Sequence, residues 1–148
     1  MIKSLKALFA KPSEEDQAEM EHQLQLAAAA LLIELSRADY IVDPQEERTL
    51  EVILHASLGL TEEEIDELMH LAGKAADRAT SLYEFTRQIN DHYTKEQKLL
   101  LVQSMWRVAY ADSDLDKYEE RLIRQVSDLI HVPHSDYIRM KVAASGRG

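Results

Sequence analysis

Two acidic stretches hold the residues best suited to chemistry. "ADYIVDPQEER" runs from Ala38 to Arg48, and "ADSDLDKYEER" from Ala111 to Arg121. The second places five carboxylates in eleven residues, and six of the eleven positions are identical in the two stretches. Clustered carboxylates are the natural ligands of hard cations: calcium takes six to eight oxygens, and magnesium an octahedron that keeps several waters. Asp112, Asp114 and Asp116 alternate as at the start of an EF-hand loop. The remainder of such a loop is absent, because its sixth position is Lys117 rather than Gly and its twelfth is Ile123 rather than Glu. Glu119 or Glu120 would have to close a shorter loop. In the first stretch Ile41 stands where Asp114 does, leaving Asp39, Asp43 and Glu46 as its ligands. The expected metal set is therefore Asp39, Asp43, Glu46, Asp112, Asp114, Asp116 and Glu119, holding Ca2+ or Mg2+. No organic cofactor is expected.

The same residues have a purely structural reading. Asp43 and Asp116 suit helix N-caps. Glu46 and Glu119 fall at the third helical position and can close capping boxes. Asp39 and Asp112 fall at C-terminal helix ends, where the helix dipole disfavours a negative charge. They can pair with Arg37, Arg48, Arg107 or Arg121, or accept N–H groups of the following helix. The sequence leaves both readings open, with "DSDLD" the better cation candidate.

Other chemistries find little support. The chain has no Cys, which excludes disulfides, thiolate zinc sites and thiol redox chemistry. No Gly-rich phosphate loop, H-E-x-x-H motif or nucleophile elbow is present, so no enzyme activity is expected. The six histidines (His22, His55, His70, His92, His131 and His134) form no zinc pattern and read as surface residues. Trp106 reads as core, and the run "TEEEIDE" as a solvated helix face.

Helices must position these turns. The 148 residues include only four Gly and three Pro, a bias towards helix. Start signals recur at Ser13, Asp43, Thr61, Ser81, Thr94, Asp116 and Pro133. They predict helices at about 14–37, 44–57, 62–77, 82–92, 95–111, 117–130 and 134–144. "LQLAAAALLIEL" and "LLLVQSMWRVAYA" are apolar around most of their circumference and should be buried among the others. The apolar pattern also repeats: Leu32 aligns with Met105, Ile33 with Trp106, Leu50 with Ile123 and Ile53 with Val126. One residue then slips, setting "LTEEEI" against "VPHSDY". Each half thus reads as buried helix, acidic turn, second helix, short turn, third helix, with 82–92 inserted between the halves. The expected fold is all-α: one helical domain of about seven helices, built as a pseudo-two-fold duplication.

The domain should span 13–145. Residues 1–12 form a short amphipathic segment, with Ile2, Leu5, Leu8 and Phe9 opposite Lys3 and Lys6. It is a poor signal peptide, and residues 146–148 are expected to be a disordered tail. The net charge of −10 repels phosphate backbones and anionic membranes on average. Neither nucleic acid nor direct membrane contact is expected, and basic partners are favoured. A cytoplasmic location, or one at the inner face of the membrane through partners, is expected, and it fits the lack of Cys and of a membrane-spanning run.

The combination of "SRADYIVDPQEER", "LGLTEEEIDEL", "YEFTRQIN" and "MWRVAYADSDLDKYEERLIRQVSDLIHV" resembles the TerB family of bacterial tellurite-resistance proteins, over about residues 20 to 145. It is also similar to the N-terminal domain of a membrane-linked DnaJ-type co-chaperone. Tyr40 and Ser113 stand where the family often has Gly. The resemblance implies a non-catalytic accessory role in tellurite and wider stress resistance, with membrane-bound Ter-type partners. The co-chaperone likeness implies instead an interaction module whose acidic turns are structural.

Overall fold

In the computed structural model, residues 16–39, 44–73, 78–111 and 117–145 are described, and their regular elements are all α-helices. They are α1 (Gln17–Asp39), α2 (Pro44–Leu58), α3 (Glu62–Gly73), α4 (Arg78–His92), α5 (Lys95–Ala111), α6 (Lys117–Leu129) and α7 (His134–Ala144). The expected all-α class holds, and the described residues form seven helices, as expected. The N-terminal segment 1–12 and the tail 146–148 lie outside the described residues.

Two helix starts differ from expectation. Asp16 caps α1, accepting the Ala18 N–H at 2.9 Å and that of Glu19 at 3.4 Å. Ser13 lies outside the described residues. Ser81 is interior to α4, which is already helical at Arg78. Arg and Ala are strong helix formers, so "RATS" extends the helix upstream of the Ser–Glu pair. Two of the other boxes form as written, while Asp43–Glu46 and Asp116–Glu119 lie outside the described residues. Thr61 and Glu64 exchange bonds of 3.0 and 3.1 Å, and Thr94 and Gln97 bonds of 2.8 and 3.1 Å. Each pair satisfies two otherwise free N–H donors.

The core forms around α1 and α5. Leu24 and every residue from Leu26 to Ile33 are buried, as are Leu101, Val102, Met105, Trp106, Val108 and Ala109. α1 packs on α3, α4 and α5, while α5 packs on α1, α2, α6 and α7. Ala27, Ala28, Ala29 and Ala30 have no exposed surface, and their small side chains let neighbouring helix axes approach closely. The outer helices contribute one face each, as α6 does with Leu122, Ile123 and Val126.

The duplication is visible in detail at the ends of α2 and α6. α2 ends on Gly59 at φ 68°, and α6 on His131 at φ 62°. A buried apolar residue follows each, Leu60 and Val132, and then a new helix. Ile65 and Tyr137 take matching buried places in α3 and α7. All three pairs follow the slipped register of the repeat. At the second site Val132 N–H donates to Ser127 C=O at 2.8 Å, and His131 N–H to Asp128 C=O at 3.2 Å. This is a Schellman motif, whose left-handed position is usually glycine. His131 holds that conformation at a cost of about 1 kcal/mol. Accordingly, His131→Gly is expected to stabilise the fold by about 0.5–1 kcal/mol, measured by urea unfolding.

Candidate functional site

Both acidic stretches are flanked in the same way by described helices. Asp39 is the last residue of α1, and Asp112 follows Ala111, the last residue of α5. Glu46 is the third residue of α2 and Glu119 the third of α6. Asp43, Asp112, Asp114 and Asp116 lie outside the described residues, as do the side chains of Asp39, Glu46 and Glu119.

Towards the C-terminal end of α5 stands an aromatic cluster. The fully buried Trp106 ring lies 5.4 Å from Tyr137 and 5.9 Å from Tyr110, between centroids. Lys141 Nζ sits 5.2 Å from the Trp106 ring centroid and 3.1 Å from Glu120 Oε1. One ammonium thus links α5, α6 and α7 by a cation–π contact and an ion pair. Burial, together with the Glu120 and Asp128 carboxylates, pushes the Tyr137 hydroxyl up to about 12 despite the opposing pull of Arg124. The phenol therefore stays neutral, and no nucleophile or general base arises there at physiological pH.

The histidines serve the fold more than their sequence pattern suggests. His22 Nε2 on α1 donates to Glu64 Oε2 on α3 at 2.5 Å. His55 Nδ1 donates to the Leu60 carbonyl at 2.6 Å, closing the turn after α2. The Thr61–Glu64 box is legible in sequence, but nothing there links Glu64 to a residue 42 positions away. Burial alone would raise the Glu64 carboxyl, but the Thr61 N–H, the His22 ring and the Thr61 hydroxyl outweigh it and lower it below 4.5. A carboxyl held down in the folded state contributes stability that is present above 4.5 and lost as pH falls through the lower folded value. Thermal midpoints should therefore fall more steeply below about pH 4.5 for the wild type than for Glu64→Gln. Superimposable acid profiles would show that the pair contributes nothing.

Grooves open at the surface of the described residues, and two bear on function. The first, about 340 Å³, lies between α2 and α3 and is lined by Glu51, Glu62, Asp66, His55, Val52 and Ile65. It is acidic with an apolar floor. The second, about 560 Å³, runs between α4 and the end of α6. Among the described residues no three His, Asp or Glu side chains converge in a metal-binding group. No described helix is long and apolar enough to cross a membrane.

The family model described as tellurite resistance protein TerB matches residues 25–142. The chain belongs to the TerB family. The TerB match begins within α1 and ends within α7, so it takes in both halves and both acidic turns. It places the chain in a non-catalytic, all-helical family. No curated protein and no solved structure matches the chain. The matched span also encloses both grooves, which sequence reasoning missed. Their linings come from different helices, which no local sequence pattern links.

Proposed function

We propose that this TerB-family chain is a non-catalytic accessory protein that acts through protein partners, with Ca2+ or Mg2+ bound at its acidic interhelical turns. One observation carries this reading: the same acidic element follows each of the two central helices, with Asp39 ending α1 and Asp112 directly after α5. A carboxylate at the C-terminal end of a helix opposes the dipole and needs a compensating positive charge. Asp43, Asp114, Asp116, Glu46 and Glu119 would supply the remaining oxygens. Capping accounts for Asp43 and Asp116, and for Glu46 and Glu119 through capping boxes, but not for Asp39 and Asp112.

The family's link to tellurite is then indirect. Tellurite is an oxyanion that thiols reduce, whereas this chain has no Cys and a net charge of −10. The acidic groove between α2 and α3 suits a basic partner, such as a cytoplasmic segment of a membrane-bound Ter-type protein.

Trp106, the single tryptophan, provides the test. It lies five residues before Ala111, the end of α5, about 7.5 Å along the helix axis, and Asp112 is the next residue in sequence. Adding Ca2+ or Mg2+ should change its emission saturably, and Asp112→Asn should weaken the response about tenfold or more. An unchanged emission at millimolar cation, or an unaltered response in Asp112→Asn, removes the cation from this reading.

A further inference from the structure

We propose that the groove between α4 and the end of α6 docks an acidic, apolar segment of a partner protein. The inference stands apart from the cation reading, since it uses neither acidic turn.

The groove gathers basic side chains on an acidic molecule. Arg87 and His131 line it, and past His131 a second cavity of about 340 Å³ continues along Lys95 and Lys98. Among the described residues Arg87 has neither a hydrogen bond nor an ion pair. Lys98 Nζ donates to a neutral acceptor, Asn90 Oδ1, at 3.1 Å, and burial lowers its pKa. Lys95 is only loosely engaged, 3.9 Å from Asp136. Both lysines lie in the first turn of α5, at the positive end of its dipole. Against them stand Asp91 at the rim and the carbonyl end of α6. The Leu129 carbonyl there is already taken by Asn90 Nδ2 at 3.0 Å. That bond also ties α4 to α6, so the groove is preformed.

The apolar component is equally local. Tyr83 is 66% exposed and Leu129 40%, and both line this groove. Solvent-facing residues of this size mark binding surfaces when they sit together. Two cavities that share the His131 wall suit an extended segment better than a compact anion. Carboxylates would meet Arg87 and Lys98, and an apolar side chain would cover Tyr83 and Leu129.

His131 supplies the independent observation. The equivalent turn in the first half uses Gly59, which meets nothing within 4 Å of an added Cβ. The second half instead keeps an imidazole in the left-handed region, on the wall shared by both cavities. Strain retained at a cavity wall is the mark of a functional position.

The probe is a fluorescein-labelled peptide, Glu-Asp-Leu-Glu-Phe-Glu-Asp-Leu, titrated with the full chain in EDTA so that bound cations play no part. Saturable binding is expected, weakening as salt is added. Arg87→Glu should weaken it about tenfold or more. His131→Gly should weaken it while raising the thermal midpoint, a combination that a damaged fold cannot produce. Arg124→Gln, an exposed cation outside the groove, should leave binding unchanged. The proposal is overturned by absence of binding, or by equal affinity for the peptide with Lys in place of its acidic residues. Unchanged affinity in Arg87→Glu also overturns it, as does tighter binding of a short single-stranded DNA.

Discussion

Trp106→Ala is expected to cost about 3–5 kcal/mol of folding stability, the largest loss from any single substitution discussed for this chain. Trp106 has no exposed surface and touches the rings of Tyr110 and Tyr137, with Lys141 over its face. Truncation leaves a cavity where α5 meets α7. It also strips the aromatic surface from Lys141, whose remaining partner is Glu120. The thermal midpoint should fall by about 10 °C or more for a domain of this size. Trp106→Phe should lose less, because it keeps an aromatic face and because Trp106 Nε1 is buried without a hydrogen-bond partner among the described residues. No hydrogen bond to that nitrogen is sacrificed. If the two variants melt together, the ring's size and stacking are not what stabilises the α5–α7 contact.

The second large effect runs the opposite way in volume. Ala28→Leu is expected to destabilise by about 1–3 kcal/mol. Its side chain belongs to the run Ala27–Ala30, which is wholly buried as α1 packs against α3, α4 and α5. Close helix approach leaves no room for three added carbons, so either the rotamer or the helix spacing must give. Leu is the more hydrophobic residue and a good helix former. A gain in stability would mean that the interface has slack. Equilibrium urea unfolding distinguishes the outcomes, with the slope checked to exclude a change in compactness.

Both effects concern the central helices, and those were the most legible part of the sequence. A run such as "LQLAAAALLIEL" has no polar face to offer solvent, so burial on all sides is forced. The amphipathic helices followed from single faces such as Leu122, Ile123 and Val126. Capping boxes written within four residues, Thr61–Glu64 and Thr94–Gln97, formed as read. Ser81–Glu84 failed as a start because helix propensity upstream was strong enough to carry the helix back to Arg78. The repeat was legible too, including its one-residue slip, since Gly59 and His131 occupy the same left-handed position.

What the sequence withheld was contact between distant positions. His22 meets Glu64 across two helices, and Lys141 reaches both Trp106 and Glu120. No local pattern encodes such pairs, because they depend on how whole helices are set against each other. The groove of Arg87, Lys98 and His131 is of the same kind. The carboxylates Asp39, Asp43, Glu46, Asp112, Asp114, Asp116 and Glu119 are the reverse case. Their pattern is conspicuous in sequence, yet the same oxygens that can cap a helix can ligate a cation.

A ¹H–¹⁵N spectrum of the full chain, titrated with CaCl2 and then with MgCl2 alongside Asp112→Asn, decides between those uses most directly. Binding at the turns predicts saturable shifts concentrated in Ala38–Arg48 and Ala111–Arg121, weakened about tenfold or more in the variant. A spectrum that stays fixed at millimolar cation, or shifts that persist unchanged in Asp112→Asn, would leave the acidic turns with a capping role alone.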